Sequence, residues 1–361
     1  MNNINKINNM NKINRSSLRK KLSGQTNTAF TVLICFALIV VISGCNNPAN
    51  LQHTPPKSLE NVNLQLKWYH QAQFAGNYVA VEKGFYADKG FNVTITQLSP
   101  SASYIDAVVS GKALFGIAGA DEIMIARQKG IPIKAIAVIY KINPVCAYAL
   151  KSSGIKKPQD FINKTVGLEK SGNVQYLYAV MMSKLHINRS QIKEVPIGYD
   201  ASELINGTVD VGTGYVINEP QSAKEEGYDV NTILAAEYGA DIYADVLFTT
   251  DTTINEQPEM VGRFVQATLE GWQYSIENAQ EAVNMTLLYD KKNSRVHEEY
   301  MLQQSIPLIH TGESPLGWMD AVKWENGQNI LYTQGLLNKT LDVQEYYTNT
   351  FVESIYPNNK G

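Results

Sequence analysis

The chain has 361 residues, of which 44% are hydrophobic and 18% charged, with 31 Lys and Arg residues against 34 Asp and Glu residues. This composition is ordinary for a globular protein with a sizeable core, and it argues against a fibrous or disordered chain. Since no basic run follows residue 45, we expect no nucleic-acid partner.

The first 44 residues have the composition of an export signal. Residues 1–28 are rich in Asn and Lys and contain no acidic residue, and the uncharged run Ala29–Ile42 follows. That run is shorter than the roughly 20 residues that a membrane-spanning helix needs, and its flanks are typical of a secretory signal. It ends in the sequence ISGC at Cys45, which resembles a bacterial lipobox. We therefore predict a lipoprotein signal peptide over 1–44 and lipidation of Cys45; an uncleaved anchor is the alternative, and translation could begin at Met1 or Met10.

Residues 45–60, rich in Pro and Asn, are predicted to form a flexible tether between a membrane and the folded body. Loss of residues 1–44 removes six basic residues and no acidic one, so a chain with a net charge of −3 becomes one of −9. Apart from Cys45, only Cys146 remains as a thiol. The core must therefore be stable without an internal disulfide.

From residue 62 onward, hydrophobic patterns typical of strands and helices alternate. The predicted order is strand 62–66, helix 74–81 ending near Gly84, strand 91–96, helix 104–112, strand 113–120, helix 121–130 and strand 131–140. A strand–helix–strand unit of this length has room only for a parallel pair with a right-handed crossover. This part of the chain is thus predicted to form a parallel α/β layer.

A second α/β unit is predicted to begin near Ala147. Strand 148–155, a strand and helix within 164–185, and strands within 191–199 and 208–215 follow, and after residue 250 the pattern changes to long helices. Together the two units predict an α/β fold with mainly parallel sheets, in which a ligand lies beyond the carboxyl ends of the strands.

Four loops that follow predicted strands combine small residues with aromatic or hydrogen-bonding ones. They are WYHQAQFAGN after Leu66, AGADE after Ile117, EKSGNVQY after Leu168 and GYVINEP after Val211. Flat apolar walls with a few convergent polar groups are typical of small-molecule sites. The predicted ligand-binding residues are Trp68, Gln73, Gly119, Asp121, Ser171, Asn173, Tyr215, Asn218 and Glu219.

Several of these residues also have plain structural interpretations. Trp68 could belong to the core, Gln73 could contact a helix N-terminus, and Asp121 could serve only to interact with a helix dipole. Glu219 precedes Pro220, which suits the first turn of a helix. His70 is interpreted as a residue at the rim of the site.

The segment LKWYHQAQFAGNYVAVEKGFYADKGFNVTI, with ALFGIAGADE and VDVGTGYVINEP further along, resembles the family that joins thiamine-pyrimidine synthases to the substrate-binding proteins of ABC transporters for thiamine precursors, nitrate, sulfonates and taurine. The similarity covers roughly residues 61–300. It implies a two-lobed periplasmic-binding-protein-like fold with the ligand in the cleft between the lobes. Lobe I would comprise 61–147 and 248–361, and lobe II 148–247.

The same resemblance allows the synthase chemistry to be tested residue by residue. The synthases hold pyridoxal phosphate on a Lys, and a His four residues later donates ring atoms; in this sequence Ala118 and Glu122 stand at those positions. The Cys cluster of the synthases would fall near 242–251, which contains no Cys. A Schiff base requires a primary amine. We therefore expect no enzymatic activity and no cofactor, and no catalytic or metal-binding residue is assigned.

The sequence thus favours a lipid-anchored, exported solute-binding protein of an ABC importer, with a permease and an ATPase as partners. Asp121 and Glu219 would repel anions, which favours an amine-bearing heteroaromatic of the thiamine-pyrimidine-precursor type. A thiamine pyrimidine synthase, a nitrate, sulfonate or taurine binder, and a sensory receptor module are the alternatives. A monomer is expected, and the sequence leaves the identity of the ligand open.

Overall fold

The computed structural model of the protein describes residues 58–99, 102–169 and 173–358. The predicted signal peptide, Cys45, most of the tether and Ser171 lie outside this part of the chain. Within the described residues, no helix is long and apolar enough to cross a membrane.

The strands of the described chain form two groups. They are β1 (Glu60–Gln65), β2 (Phe91–Thr96), β3 (Phe115–Gly119), β4 (Ile133–Val138), β5 (Val145–Leu150), β6 (Thr165–Glu169), β7 (Lys193–Ile197), β8 (Gly212–Tyr215), β9 (Val230–Leu234) and β10 (Asp245–Thr250). One sheet has the order β2-β1-β3-β10-β4, and the other group comprises β8-β5-β9 and β6-β7.

The helices flank these sheets. They are α1 (Ala75–Glu82), α2 (Phe85–Asp88), α3 (Tyr104–Val109), α4 (Ala120–Gln128), α5 (Val174–Lys184), α6 (Ser202–Ile205), α7 (Glu219–Glu225), α8 (Asp251–Glu256), α9 (Pro258–Glu277), α10 (Ala279–Tyr289), α11 (Arg295–Ile309), α12 (Ala321–Thr333) and α13 (Thr350–Ile355). The long helices predicted after residue 250 are therefore present.

The two sheets have the same internal order. A parallel bridge between Val166 and Val211, with the Gly167 amide donating to the Val211 carbonyl at 2.8 Å, joins β6 to β8. The second sheet therefore runs β7-β6-β8-β5-β9, which matches β2-β1-β3-β10-β4 strand for strand. The α/β class and the periplasmic-binding-protein-like fold predicted from the sequence are confirmed.

The pairing within each sheet is mixed, whereas the sequence predicted mainly parallel sheets. β1 is parallel to β2 and β3, and β6 is parallel to β7, but β10 is antiparallel to both of its neighbours and β5 to both of its own. The reason is connectivity: β10 and β5 are the strands that the chain enters directly from the opposite sheet. They do not come through the helical crossover that a parallel pair requires.

Two strands lie outside the predicted set, and one has different bounds. β9 and β10 were not predicted, although the run Val246–Phe248 is fully buried. β5 begins at Val145 and ends at Leu150, because Lys151–Ser153 turn into a 3-10 helix that Gly154 ends with a φ of 74°.

Close packing of α1 on α9 supports the loop that precedes α1. A Cβ added to Gly271 would lie 2.1 Å from the Gly76 carbonyl oxygen, and one added to Gly76 would lie 2.3 Å from the Trp272 ring. The two glycines thus allow the helices to approach closely, and the buried Trp272 fills the space beside them. This contact holds the start of α1 beneath the cleft.

Candidate functional site

A cavity of about 340 Å³ lies between the two sheets, at the carboxyl ends of their strands. Trp68 follows β1, Asp121 follows β3, Glu169 ends β6 and Tyr215 ends β8. Both sheets thus contribute to one cavity, at the position where α/β sheets bind their ligands.

Most of the residues predicted to bind a ligand surround this cavity. Gly119 is not part of its lining; its amide donates to Oε2 of Glu122 at 2.8 Å, and the absence of a side chain leaves room for the Asp121 carboxyl. Ser171 lies outside the described residues. The predicted residues that line the cavity are Trp68, Gln73, Asp121, Asn173, Tyr215, Asn218 and Glu219.

Aromatic side chains from both lobes form the walls. The Trp68 ring packs edge-on against Tyr199, with 5.3 Å between centroids and an angle of 70° between the planes. On the other side, the Tyr215 hydroxyl donates to the Asn173 side chain at 3.1 Å. These rings offer flat faces to a planar ligand, with stacking energies of about 0.5–1.5 kcal/mol for each aromatic contact beyond burial.

Two of the carboxyl groups in the cavity come from the first turn of α4. The Asp121 carboxyl accepts a hydrogen bond from the Tyr176 hydroxyl, and the Glu122 carboxyl accepts one from the Tyr104 hydroxyl. Burial, together with the neighbouring Glu122 charge, raises the pKa of Asp121 to about 7. A helix N-terminus favours negative charge, so α4 stabilises both groups, and the nearby Lys67 ammonium partly offsets the rise in the pKa of Asp121.

A third and a fourth carboxyl group come from the second lobe. Glu219 accepts hydrogen bonds from the Tyr215 amide and the Asn218 side chain, both at 2.6 Å, and burial raises its pKa to about 7. Burial, and then the Glu219 charge, raises the pKa of Glu169 to about 9. The second lobe therefore presents carboxyl groups that bind protons more readily than exposed ones do.

Lys67, the one lysine among the described lining residues, is paired with an aspartate outside the lining. The Lys67 ammonium lies 2.6 Å from Oδ1 of Asp245, which begins β10. Burial lowers the pKa of Lys67, but the combined effects of Asp245, Tyr215 and Glu122 outweigh burial, so the pKa stands well above its usual value. Lys67 therefore remains charged and paired, and the described residues give the cavity an acidic lining.

The Gln73 side chain supports this ion pair. Its Nε2 donates to Oδ2 of Asp245 at 2.8 Å, and its Oε1 accepts from Gln71 at 2.6 Å. Both ends of the amide are thus occupied by protein groups. His70 is absent from the cavity lining and lies with Nδ1 3.0 Å from the Tyr78 hydroxyl.

The sequence analysis missed about half of the lining. Gln71 lies within the loop WYHQAQFAGN, and Lys67 directly precedes it. Glu122 lies within the loop AGADE, and Glu169 within EKSGNVQY. Leu98 and Tyr199 follow strands β2 and β7, so the rule that selected the other loops would have included them. The missed residues are Lys67, Gln71, Leu98, Tyr104, Glu122, Glu169, Val174 and Tyr199.

A larger open groove, of about 970 Å³, lies along the segments that cross between the sheets. Its lysines are already engaged: the Lys141 ammonium donates to the Ser314 and Pro315 carbonyls at 2.8 Å, and Lys323 pairs with Asp241. The smaller cavity, with its aromatic walls and raised carboxyl pKa values, is the better candidate for a binding site.

The fold and this cavity define the class: a two-lobed α/β protein of the periplasmic-binding-protein type, with a small-molecule cavity between its lobes. The chain belongs to the family described as NMT1/THI5 like, whose model matches residues 71–282. This confirms the resemblance found in the sequence.

Individual relatives agree with this assignment. The chain is similar to the riboflavin-binding protein RibY of Chloroflexus aurantiacus, with 26% identity over 340 residues that cover 87% of this chain and 95% of that protein. It is also similar to the formylaminopyrimidine-binding protein of Halalkalibacterium halodurans, with 25% identity over 305 residues that cover 82% and 91%.

Among solved structures, a putative periplasmic sulfonate-binding protein SsuA from Methylobacillus flagellatus superposes with a TM-score of 0.65 at 16% identity, covering 83% of this chain and 95% of that one. At this identity, the likeness supports the fold alone.

Proposed function

We propose that this chain is the solute-binding component of an ABC importer and that it binds a planar, amine-bearing nitrogen heteroaromatic of the thiamine-pyrimidine-precursor type. The observation that carries the proposal is the acidic lining of the cavity: among the described residues, four carboxyl groups line it, and Lys67 is paired with Asp245. A ligand rich in N–H donors is favoured there, and a sulfonate or nitrate anion is disfavoured.

A riboflavin ligand is the second candidate. One relative is named as a riboflavin-binding protein, and a cavity of about 340 Å³ exceeds what a single pyrimidine ring fills. The flavin ring is also planar and would use the same aromatic walls. Size therefore favours the larger ligand, while the carboxyl groups suit an exocyclic amine.

Calorimetric titration with formylaminopyrimidine, hydroxymethylpyrimidine, riboflavin, taurine and nitrate tests the proposal. We expect binding of a pyrimidine, or of riboflavin as the second candidate, and no heat change with either anion. Tight binding of taurine or nitrate without binding of a heteroaromatic would refute the charge argument. Quenching of Trp68 fluorescence, compared with the Trp68→Phe variant, would report stacking at the wall.

The residues present do not fit a pyridoxal phosphate enzyme. Ala118 is fully buried and has no amine, and Lys67, the lysine of the cavity, is held protonated by Asp245 and is therefore a poor nucleophile. Among the described residues, no cluster of His, Cys, Asp and Glu is suited to a metal ion. Incubation with pyridoxal phosphate and iron should give no Schiff-base absorbance; its appearance would refute this part of the proposal.

We further propose that the protein is exported, lipid-anchored through Cys45 and monomeric, and that the lobes span 61–147 with 248–361 and 148–247. Labelling with a fatty-acid probe in the wild type and in Cys45→Ala tests the anchor, since only the wild type should be labelled.

Purification of a complex with a permease and an ATPase would support transport, whereas a stable complex with a signalling protein instead would favour the sensory alternative.

A further inference from the structure

The four carboxyl groups of the cavity differ in what they contact. Asp121, Glu122 and Glu219 each accept hydrogen bonds from protein donors, as described above. The carboxyl of Glu169 accepts none from any of the described residues, although only 7% of the residue is exposed. Since Glu169 lines the cavity and no described donor engages its carboxyl group, a ligand in the cavity can supply hydrogen bonds to it.

The position of Glu169 makes its carboxyl available to a ligand. It is the last residue of β6, and it lines the cavity together with Asn173 and Tyr215 from the same lobe. The backbone carbonyl of Glu169 accepts from the Gln175 side chain at 2.6 Å, which fixes the end of the strand. Hydrogen bonding thus fixes the backbone from which the Glu169 carboxyl group extends.

The chemical form of this group follows from its surroundings. Glu219 on α7 faces it, and Cys146 and Tyr148 on β5 lie near enough to interact with it electrostatically. None of these groups is cationic at neutral pH, and burial raises the pKa of Glu169 to about 9. A protonated carboxyl group has one O–H donor and one carbonyl acceptor side by side.

We propose that Glu169, in its neutral acid form, is a specificity-determining residue that pairs through two hydrogen bonds with an edge of the ligand at which a ring acceptor and an N–H donor are adjacent. The O–H group donates to the ligand acceptor, and the carbonyl oxygen accepts from the ligand N–H. An aminopyrimidine has such an edge in its ring nitrogen and exocyclic amine, and a flavin has one in its carbonyl and ring N–H. The inference rests on the proposed function and deepens it.

Two substitutions test whether Glu169 binds the ligand as the neutral acid or as the carboxylate. Glu169→Gln keeps one donor and one acceptor in the same shape, so formylaminopyrimidine, or riboflavin if that is what the wild type binds, should bind within about threefold of the wild-type affinity. Glu169→Leu removes both groups and should weaken binding about tenfold or more. Glu226→Gln, a change of the same charge on the exposed surface, is the matched control and should leave the affinity unchanged.

The dependence on pH provides an independent measurement. Wild-type affinity should fall as the pH rises from 8 to 9.5, because ionisation removes the O–H donor, while the affinity of Glu169→Gln should fall less over the same range. Asp121 and Glu219, whose pKa values are about 7, are mostly ionised before this range begins. Both series use the full chain in detergent, with circular dichroism to confirm that each variant is folded; if Glu169→Leu does not fold, the Gln variant and the pH series decide.

The outcomes separate the two claims. If the wild type binds neither probe, the proposed function is refuted and this inference with it. If the wild type binds and Glu169→Leu binds equally well, only the role of Glu169 is refuted. If Glu169→Gln loses tenfold or more, the carboxylate is the binding form, and the neutral pairing is wrong.

Discussion

The ion pair between Lys67 and Asp245 gives the sharpest test of the cavity electrostatics. Its two side chains are 11% and 2% exposed, and the charged atoms lie 2.6 Å apart. Asp245→Asn keeps the shape and an acceptor for Gln73 but removes the carboxylate that is paired directly with the buried Lys67 ammonium. Removal of one partner of a buried pair costs about 3–5 kcal/mol, so we expect a fall of that size in the free energy of unfolding.

The exposed pair between Lys151 and Asp229 is the matched control. Its charged atoms lie 3.6 Å apart, and its side chains are 57% and 67% exposed. Asp229→Asn should therefore change the free energy of unfolding by only about 0–1 kcal/mol. Urea unfolding followed by circular dichroism measures both variants under the same conditions.

A double variant distinguishes the loss of a partner from the loss of the pair. Lys67→Met with Asp245→Asn removes both charges and should recover most of the stability that Asp245→Asn loses. If Asp245→Asn costs no more than Asp229→Asn, or if the double variant is no more stable than the single one, the argument that Lys67 is held by a buried counter-charge is refuted.

Three further variants test other parts of the structure. Burial, and then Asp290, raises the pKa of Glu298 to about 8. The stabilising effect of Glu298 is therefore fully present below about pH 4.5 and is lost as the pH rises through 8. Tm should fall from pH 5 to 9 in the wild type, and fall less in Glu298→Gln. The His297 Nε2 lies 2.8 Å from Oδ1 of Asn218, so His297→Ala should weaken ligand binding about threefold to tenfold. Gly271→Ala should lower the free energy of unfolding by about 1–3 kcal/mol or more through overpacking.

Each of these three predictions has a result that would contradict it. An equal slope of Tm against pH in the wild type and in Glu298→Gln would mean that another group titrates. Unchanged affinity in His297→Ala would show that Asn218 keeps its orientation without the imidazole, and His297→Gln, which can still donate, serves as its control. A neutral Gly271→Ala would mean that α9 can move away from α1.

Hydrophobic periodicity predicted the strands and helices correctly where an element is determined by its own residues. β1, α1, β2, β3, α4 and β4 follow from alternation and helical spacing, and the predicted helix 74–81 corresponds to α1 at Ala75–Glu82. β10 was missed because its neighbours β3 and β4 are far from it in sequence, so that its role as a central strand exists only in the sheet. Propensity does not reveal such pairing.

The residues of the candidate site were likewise predictable only in part. The residue types in the loops after the strands were sufficient to select Trp68, Asp121, Tyr215 and Glu219, because the carboxyl ends of strands meet at one edge. That rule does not show which of these groups the protein itself already engages. Gln73 was selected as a ligand contact, and the structure shows its amide occupied by Asp245 and Gln71.

By itself, the sequence determined the α/β class, the family and the acidic, aromatic character of the binding loops, because these depend on residue types and on spacing along the chain. Only the tertiary structure decided the charge balance of the cavity, because Lys67 is neutralised by an aspartate from a distant strand. It also distinguished the Glu169 carboxyl, which accepts no hydrogen bond from the described residues, from three carboxyl groups that do. Hydrogen bonding and burial are properties of the folded neighbourhood, and no pattern along the chain contains them.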